Sequence, residues 1–394
     1  MFFKLNVALW AIPALNHFSQ CSGYSFAPDD DQVITDPRLP ALFNVPAPQT
    51  LLPSPESPVA GYWTSSFLTT TTGSQYFLAT GVVISTRDQL AGYGFSLLDL
   101  ATLNRVSHSS ITTSFQKDDI IGLSFAGPQY KISDISTEEQ GMVVQGDAEN
   151  ASVNLTIHPT SSALYYGGSG AWMYVDRPMY GWALPAARTS GNITLPFPAA
   201  EPPVTIGPPY HVNETVGDAN IAIIDPAASL TWYDHLWGHM GLQDGNITWF
   251  NLFVDDNVEL DGDHDDKKLN LALVSYLLNS VNPPFTSRSI HVRNRNRNES
   301  ALSIIPVDKF EPSSDPSTVW TSPSTGLSYP QRWELGIEDR GFLAISSVLA
   351  DQELVDPGSG AATYVGFVNV EGVFDGKQVT GYGSVEVKFV QQLP

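Results

Sequence analysis

The stretch Leu230-Thr231-Trp232-Tyr233-Asp234-His235-Leu236-Trp237-Gly238-His239 gathers two indoles, a phenol, two imidazoles and a carboxylate into ten residues. Read as a strand, alternation puts Trp232, Asp234 and Leu236 on one face and Tyr233, His235 and Trp237 on the other. A carboxylate set between indoles in a barrel interior is partly desolvated, which raises its pKa and lets it keep a proton for general-acid work. An indole face beside it can stabilise a developing cation. Asp234 is therefore the first candidate acid, Trp232 its cation-stabilising neighbour, and His235 or Tyr233 the group that orients it. The same residue types also suit a structural carboxylate that accepts hydrogen bonds from backbone, Trp and His donors. Tyr62, Trp63, Tyr233 and Trp237 are the expected aromatic walls, with Trp182 and Tyr382 as further candidates.

Other clusters carry less chemistry. His235 and His239 would share a face only on a helix, and no further ligand set has the right spacing, so no metal and no cofactor are expected. Asp261-Gly262-Asp263-His264-Asp265-Asp266 looks like the start of a calcium loop, yet the position for the closing Glu holds Ala272, which makes a solvated turn the better reading. Arg293, Arg295 and Arg297 alternate with Asn294, Asn296 and Asn298, which on a strand gives one exposed cationic edge that discourages strand pairing. No Gly-x-Ser-x-Gly nucleophile elbow is present.

The elements that must position these residues read as strands. Hydrophobic residues make up 42% of the chain and are rich in β-branched and aromatic types, with 31 Gly and 29 Pro as punctuation. Residues 24–58, dense in Pro and Asp, read as an extended arm. Tyr62-Trp63-Thr64 and Gln75 to Ser85 flank a turn at hairpin spacing, and Met142 to Gly146, Val153 to Ile157 and Ala163 to Tyr166 continue as a meander. After the Pro-rich residues 195–209, strand signals resume at Ala222 and recur at Trp249 to Val254, Leu269 to Val274, Trp333 to Ile337, Phe342 to Ile345 and Val368 to Val373. Short strands with regular turns suggest an all-β chain of barrels or sandwiches, and the length of 394 residues and the like style of the two halves suggest two similar barrels, over residues 59–240 and 241–394. The net charge of −22 speaks against a nucleic-acid partner.

The amino terminus adds an address. Lys4 precedes an apolar run from Leu5 to Leu15, and Cys21-Ser22-Gly23 offers small residues for cleavage, so residues 1–23 read as a signal peptide and the mature chain begins near Tyr24. Six Asn-x-Ser/Thr acceptors, at Asn150, Asn154, Asn192, Asn213, Asn246 and Asn298, fit the secretory pathway. Asn246 follows the Trp232 to Trp237 motif so closely that the chain must surface there, which puts the motif beside a pocket mouth or domain seam. Cys21, the sole cysteine, leaves with the signal, so no disulfide supports the fold. No second stretch is long enough to span a bilayer.

The Thr231-Trp232-Tyr233-Asp234-His235-Leu236-Trp237-Gly238 run resembles the Thr-Trp-x-Asp-His-Gln/Glu-Trp-Gly signature of the carotenoid 1,2-hydratase and AttH-like family. Tyr62-Trp63, Tyr165-Tyr166, the stretch from Trp320 through Tyr329-Pro330 to Trp333, and Gly381 to Val387 are similar to its other landmarks, so the resemblance covers most of residues 60–390. Two positions depart from it. Leu236 replaces the usual polar residue, and Tyr364-Val365-Gly366 lacks the Trp-Glu that commonly precedes that glycine. The resemblance implies two lipocalin-like (calycin) barrels in tandem, with Trp232 and Asp234 serving cation stabilisation and alkene protonation. Secreted, glycosylated members include hetero-Diels–Alderases of tropolone sesquiterpenoid pathways and kievitone hydratase-like proteins, which this chain resembles more than the bacterial hydratases. The pericyclase group implies dehydration of a hydroxymethyl tropolone or phenol to an o-quinone methide, which a terpene alkene captures without a cofactor. A hydratase or dehydratase of a prenylated aromatic, or a non-catalytic carrier, are the alternatives. The expected partner is a small hydrophobic natural product, with a homodimer left open.

Overall fold

The computed structural model describes residues 23–30, 34–36, 39–43, 45, 57–118, 124–135, 141–174, 177–195, 220–238, 246–256, 268–278, 285–294 and 302–389. The first half supplies β1 (Val59–Thr69), β2 (Gln75–Ser85), β3 (Leu90–Asp99), β4 (Arg105–Thr112), β5 (Gln116–Asp118), β6 (Ser124–Ala126) and β7 (Tyr130–Asp134). It continues with β8 (Met142–Ala148), β9 (Ala151–His158), β10 (Leu164–Tyr165), β11 (Ala171–Tyr174), β12 (Arg177–Thr194), β13 (Ile221–Ile224) and β14 (Leu230–Gly238). These strands form one antiparallel sheet in which β14 lies between β1 and β12. Burial alternates as a half-buried strand requires: in β8, Met142, Val144 and Ala148 point inward while Gln145 and Asp147 are exposed. The sheet curls on itself, since Tyr93 of β3 stacks on Tyr130 of β7 at 4.9 Å and Ser110 of β4 donates to Gln129 at 3.1 Å.

The second half supplies β15 (Asn246–Asp256), β16 (Lys268–Leu278), β17 (Phe285–Asn294), β18 (Leu302–Pro312), β19 (Val319–Thr321) and β20 (Ser328–Pro330). It ends with β21 (Arg332–Ile337), β22 (Gly341–Ser347), β23 (Glu353–Val355), β24 (Ala362–Phe374) and β25 (Lys377–Lys388). Strands β15, β16, β17, β18, β21, β22, β24 and β25 pair in chain order, and β25 returns to β15, closing an up-and-down barrel. Its interior is filled by residues such as Phe250, Leu252, Trp333, Leu335, Tyr364 and Val385. The chain is thus all-β, with two lipocalin-like barrels in tandem, as expected.

The barrels meet on their outer faces. Phe67, Phe77 and Trp232 of the first pack against Phe253, Phe367 and Tyr382 of the second. Residues 24–29 are wedged into the same seam: Tyr24 meets Phe367 edge-on at 4.9 Å and Phe26 meets Tyr382 at 5.0 Å. Asp29 then ties both barrels, donating its backbone N–H to the Ala186 carbonyl at 3.0 Å and accepting from Arg293 Nη1 at 2.8 Å. Ala186 sits in the β-bulge that interrupts β12 opposite Trp232, next to Pro185, which has no N–H to contribute to the ladder.

Three expectations change. The start of the Pro- and Asp-rich arm is a packed strap. Arg293 is buried with a carboxylate partner rather than exposed along an edge, because the strap covers it. The run from Ala163 to Tyr166 holds only the two-residue β10, then breaks into a 3-10 turn over Tyr166–Gly168, where Gly167 at φ 66° and Gly168 at φ 79° cannot continue a strand. Asn150 and Asn154 are exposed, and Asn192 and Asn246 half-buried. Asn213, Asn298, Arg295, Arg297, His239, Cys21, the apolar run from Leu5 and the Asp261 to Asp266 cluster lie outside the described residues. Among the described residues no helix is long and apolar enough to cross a membrane, and no cluster of His, Cys, Asp and Glu suits a metal.

Candidate active site

Asp234 does not face a barrel interior. Strand alternation on β14 sends Thr231, Tyr233, His235 and Trp237 into the first barrel, and Trp232, Asp234 and Leu236 outward into the seam. The second barrel buries that outer face. At one end the seam is closed by the aromatic cluster and its strap; at the other it opens into a cleft holding roughly 1050 Å³, part of it open to solvent. Asp234, Leu236 and Trp63 wall it from the first barrel, and Ile247, Trp249 and Val365 from the second.

Three donors hold the Asp234 carboxyl. Tyr166 Oη and Trp232 Nε1, the latter at 3.1 Å, both donate to Oδ1. Asn251 Nδ2 makes a longer contact with Oδ2 at 3.4 Å, and is itself held through its Oδ1 by Trp249 Nε1 at 2.7 Å. Burial pushes the Asp234 pKa from 3.8 up to about 7, even though the three donors favour the charged form. With Oδ1 engaged twice, Oδ2 is the oxygen left to carry the proton.

The acid's orienting groups are thus not the ones expected from sequence. His235 and Tyr233 are on the opposite face of β14, where His235 stacks on Tyr62 at 4.5 Å and on Trp237 at 4.8 Å, and Tyr233 packs against Trp182 at 5.5 Å. Tyr62, Trp182, Tyr233, His235 and Trp237 therefore belong to the interior of the first barrel, away from the cleft. Tyr382 lies in the closed part of the seam, its hydroxyl donating to the Ser25 carbonyl at 3.2 Å. Trp232 donates to Asp234 but packs edge-on against Phe253 at 5.7 Å, whereas the indoles of Trp63 and Trp249 line the cleft. Of the expected walls, Trp63 alone joins Asp234 in the cleft, as its cross-strand neighbour on β1.

Trp249 and Asn251 were legible only as strand residues, and Tyr166 only within the Tyr165-Tyr166 landmark. The alternation Trp249, Asn251, Phe253 on one face of β15 carries no hint that this face meets another barrel. Removing the Tyr166 hydroxyl takes away a donor to the carboxylate, so Tyr166→Phe should raise the Asp234 midpoint further, read by NMR titration of ¹³C-labelled Asp. An unchanged or lower midpoint would contradict the hydrogen-bond assignment. Trp63 lies over Gly81, where an added Cβ would sit 2.5 Å from Cε3 of the indole and 2.6 Å from the Tyr62 carbonyl oxygen. Gly81→Ala should therefore displace the indole, changing tryptophan emission and lowering stability by about 1–3 kcal/mol.

No family model matches the chain. The chain is 28% identical over 385 residues to kievitone hydratase of Fusarium solani subsp. phaseoli, covering 97% of this chain and 95% of the relative. It is also 28% identical over 377 residues to dehydratase asqC of Emericella nidulans, covering 93% and 94%. Among solved structures, kievitone hydratase from Nectria haematococca superposes with a TM-score of 0.75 at 22% identity over 93% of this chain and 98% of that one. An AttH-type protein from Nitrosomonas europaea superposes with a TM-score of 0.63 at 16% identity, over 89% and 98%. The chain is thus similar over nearly its whole length to proteins named hydratase and dehydratase, and it shares its fold with an AttH-type protein. Leu236 and Val365, two of the positions that depart from the signature described above, both wall the cleft. Each puts an aliphatic side chain where the signature has a polar one.

Proposed function

We propose that the protein is a cofactor-free hydro-lyase that adds water to, or removes it from, a prenylated aromatic or isoprenoid substrate, with Asp234 as the proton donor. The observation that carries this reading is a carboxyl group with its pKa raised to about 7 at the wall of an apolar cleft, one oxygen held by two donors and the other, with only the longer Asn251 contact, able to give its proton. In the hydration direction Oδ2–H protonates the alkene carbon, the cation is stabilised by the faces of Trp63 and Trp249, and water captures it. In the reverse direction the transfers run backwards: the hydroxyl takes a proton and leaves as water, and the Asp234 carboxylate takes the proton from the adjacent carbon. The full-length relatives named hydratase and dehydratase support this class.

A second reading shares the first step. The cleft lies between two barrels and opens to solvent, as a hetero-Diels–Alderase would use if dehydration gave an o-quinone methide for capture by a terpene alkene. Mass balance separates the two. Incubated with a 3-methylbut-2-enyl phenol in H₂¹⁸O, a hydratase gives a product heavier by one labelled water. Incubated with a hydroxymethyl tropolone and a terpene alkene, a pericyclase gives the sum of both partners less one water. Binding without change in either mixture, equally strong after Asp234→Asn, would support the carrier instead.

The apolar amino-terminal run and the acceptor motifs support a secreted glycoprotein that starts near Tyr24, which among the described residues is the first to pack, with its N–H donating to Gln75 Oε1 at 2.8 Å. N-terminal sequencing of the secreted chain and its mass before and after glycosidase treatment test this; a start upstream of the apolar run would contradict it.

A further inference from the structure

We propose that Glu386 is the second proton-handling group of the cleft, taking the proton of the attacking water while Asp234 supplies a proton to the alkene carbon. The proposal rests on the hydro-lyase reading and names the base that reading needs. On β25 alternation sends Val385 and Val387 into the second barrel and Ser384, Glu386 and Lys388 onto its outer face. Such a face is ordinarily solvated, but here the first barrel covers it: Ser384 Oγ donates to Ser65 Oγ across the seam at 3.1 Å. Glu386 is flanked by Trp249 on β15 and Val365 on β24, both cleft walls. It therefore faces the cavity from the barrel opposite Asp234.

A buried carboxylate with a structural job looks different in this protein. Glu353 accepts from Thr325 and Tyr329, each at 2.7 Å, and from Ser322 and Ser324 besides. No described residue gives the Glu386 carboxyl a hydrogen bond; burial raises its pKa and the Lys388 charge opposes that rise. The same burial lowers the Lys388 pKa. Among the described residues, Asp234, Glu386 and Lys388 are the titratable side chains that wall the cleft, with Tyr166 behind Asp234 and His291 edge-on to Tyr166. The asymmetry assigns the roles. Glu386 has a cation on its own strand to favour its charged form, while Asp234 has no cation among its partners and feels the Glu386 charge, which raises its pKa.

The step balances. The Asp234 Oδ2–H bond breaks and a C–H bond forms, the π pair leaving a cation on the neighbouring carbon. Water oxygen bonds to that carbon, its proton passes to Glu386, and solvent returns a proton from Glu386 to Asp234. Dehydration runs the same transfers backwards.

The test uses the full secreted chain and two readouts. First, NMR titration with ¹³C-labelled Asp and Glu should show that Glu386→Gln lowers the Asp234 midpoint and Lys388→Met raises that of Glu386. Second, with a 3-methylbut-2-enyl phenol as probe, Glu386→Gln should cut kcat by at least about 100-fold with probe binding unchanged, and formate should restore part of the activity of Glu386→Ala. Hydration by Glu386→Gln within about threefold of the unaltered protein, or an Asp234 midpoint that does not move, overturns the proposal. Coupled titrations with no water transferred by the unaltered protein would instead overturn the hydro-lyase reading, and the role of Glu386 as its base, leaving only the carboxyl pair.

Discussion

Asp234→Asn is expected to reduce conversion by at least about 100-fold and, at the same time, to make the protein more stable at alkaline pH. The amide keeps the size of the carboxyl and can still accept from Tyr166 and Trp232, but it has no acidic proton to give. The stability effect follows from linkage. Asp234 in the folded chain titrates at about 7 against an ordinary 3.8, so the folded state holds the proton more tightly than the unfolded one. Stability is then greatest below the ordinary value and declines as pH rises from about 4 to about 7, with a cost of up to roughly 4 kcal/mol above that range. Asn carries no such cost, so the variant's advantage should be large at pH 8 and shrink toward pH 4. Thermal or urea unfolding at both pH values measures it. An advantage independent of pH would mean that Asp234 is not the raised group, and retained turnover would remove it as the acid. Activity itself should fall as pH rises through about 7, since the donor must be protonated.

The second large effect belongs to the strap. Asp29 and Arg293 are 8% and 7% exposed, paired at 2.8 Å, and they join the chain's first packed residues to β17 of the second barrel. Arg293→Ala or Asp29→Ala strands one charge in a site that water does not reach, a loss of about 3–5 kcal/mol. Asp29→Asn combined with Arg293→Met removes both charges and should recover much of that loss, because desolvation, not attraction, dominates the energetics of a buried pair. Unfolding of the three variants gives the comparison, with protease cleavage in residues 24–30 as a local report. A single-variant loss under about 1 kcal/mol would show that the strap is not seated through this pair. Since the strap caps the bulge opposite Trp232, the same variants should loosen the closed end of the seam more than the cleft.

Much of this molecule was readable before any coordinates. The period-two pattern of β8, β9 and β21 reflects strands with one wet face, which sequence displays directly because each residue's side is settled by its neighbours. The same rule separated Trp232, Asp234 and Leu236 from Tyr233, His235 and Trp237 correctly. It could not say which set faced the cleft. Both faces of β14 are buried, one by its own barrel and one by the other, and a buried strand is apolar or aromatic on both sides whichever cavity holds the ligand. Tyr62, Trp182, Trp237 and His235 looked like walls for that reason, and they wall the first barrel's interior instead.

Sequence by itself determined the strand content, the tandem barrels and the carboxylate set between indoles that is the candidate acid. These depend on local periodicity and on a motif contiguous in the chain. Tertiary structure alone decided which cleft that carboxylate faces and what surrounds it, because those neighbours are remote in sequence: Tyr166 comes from a turn, Asn251 and Trp249 from β15, and Glu386 from the last strand. Such groups meet only when two outer faces dock and exclude water from the carboxyl between them. That loss of water, which no run of residues encodes locally, is what raises the Asp234 pKa to about 7.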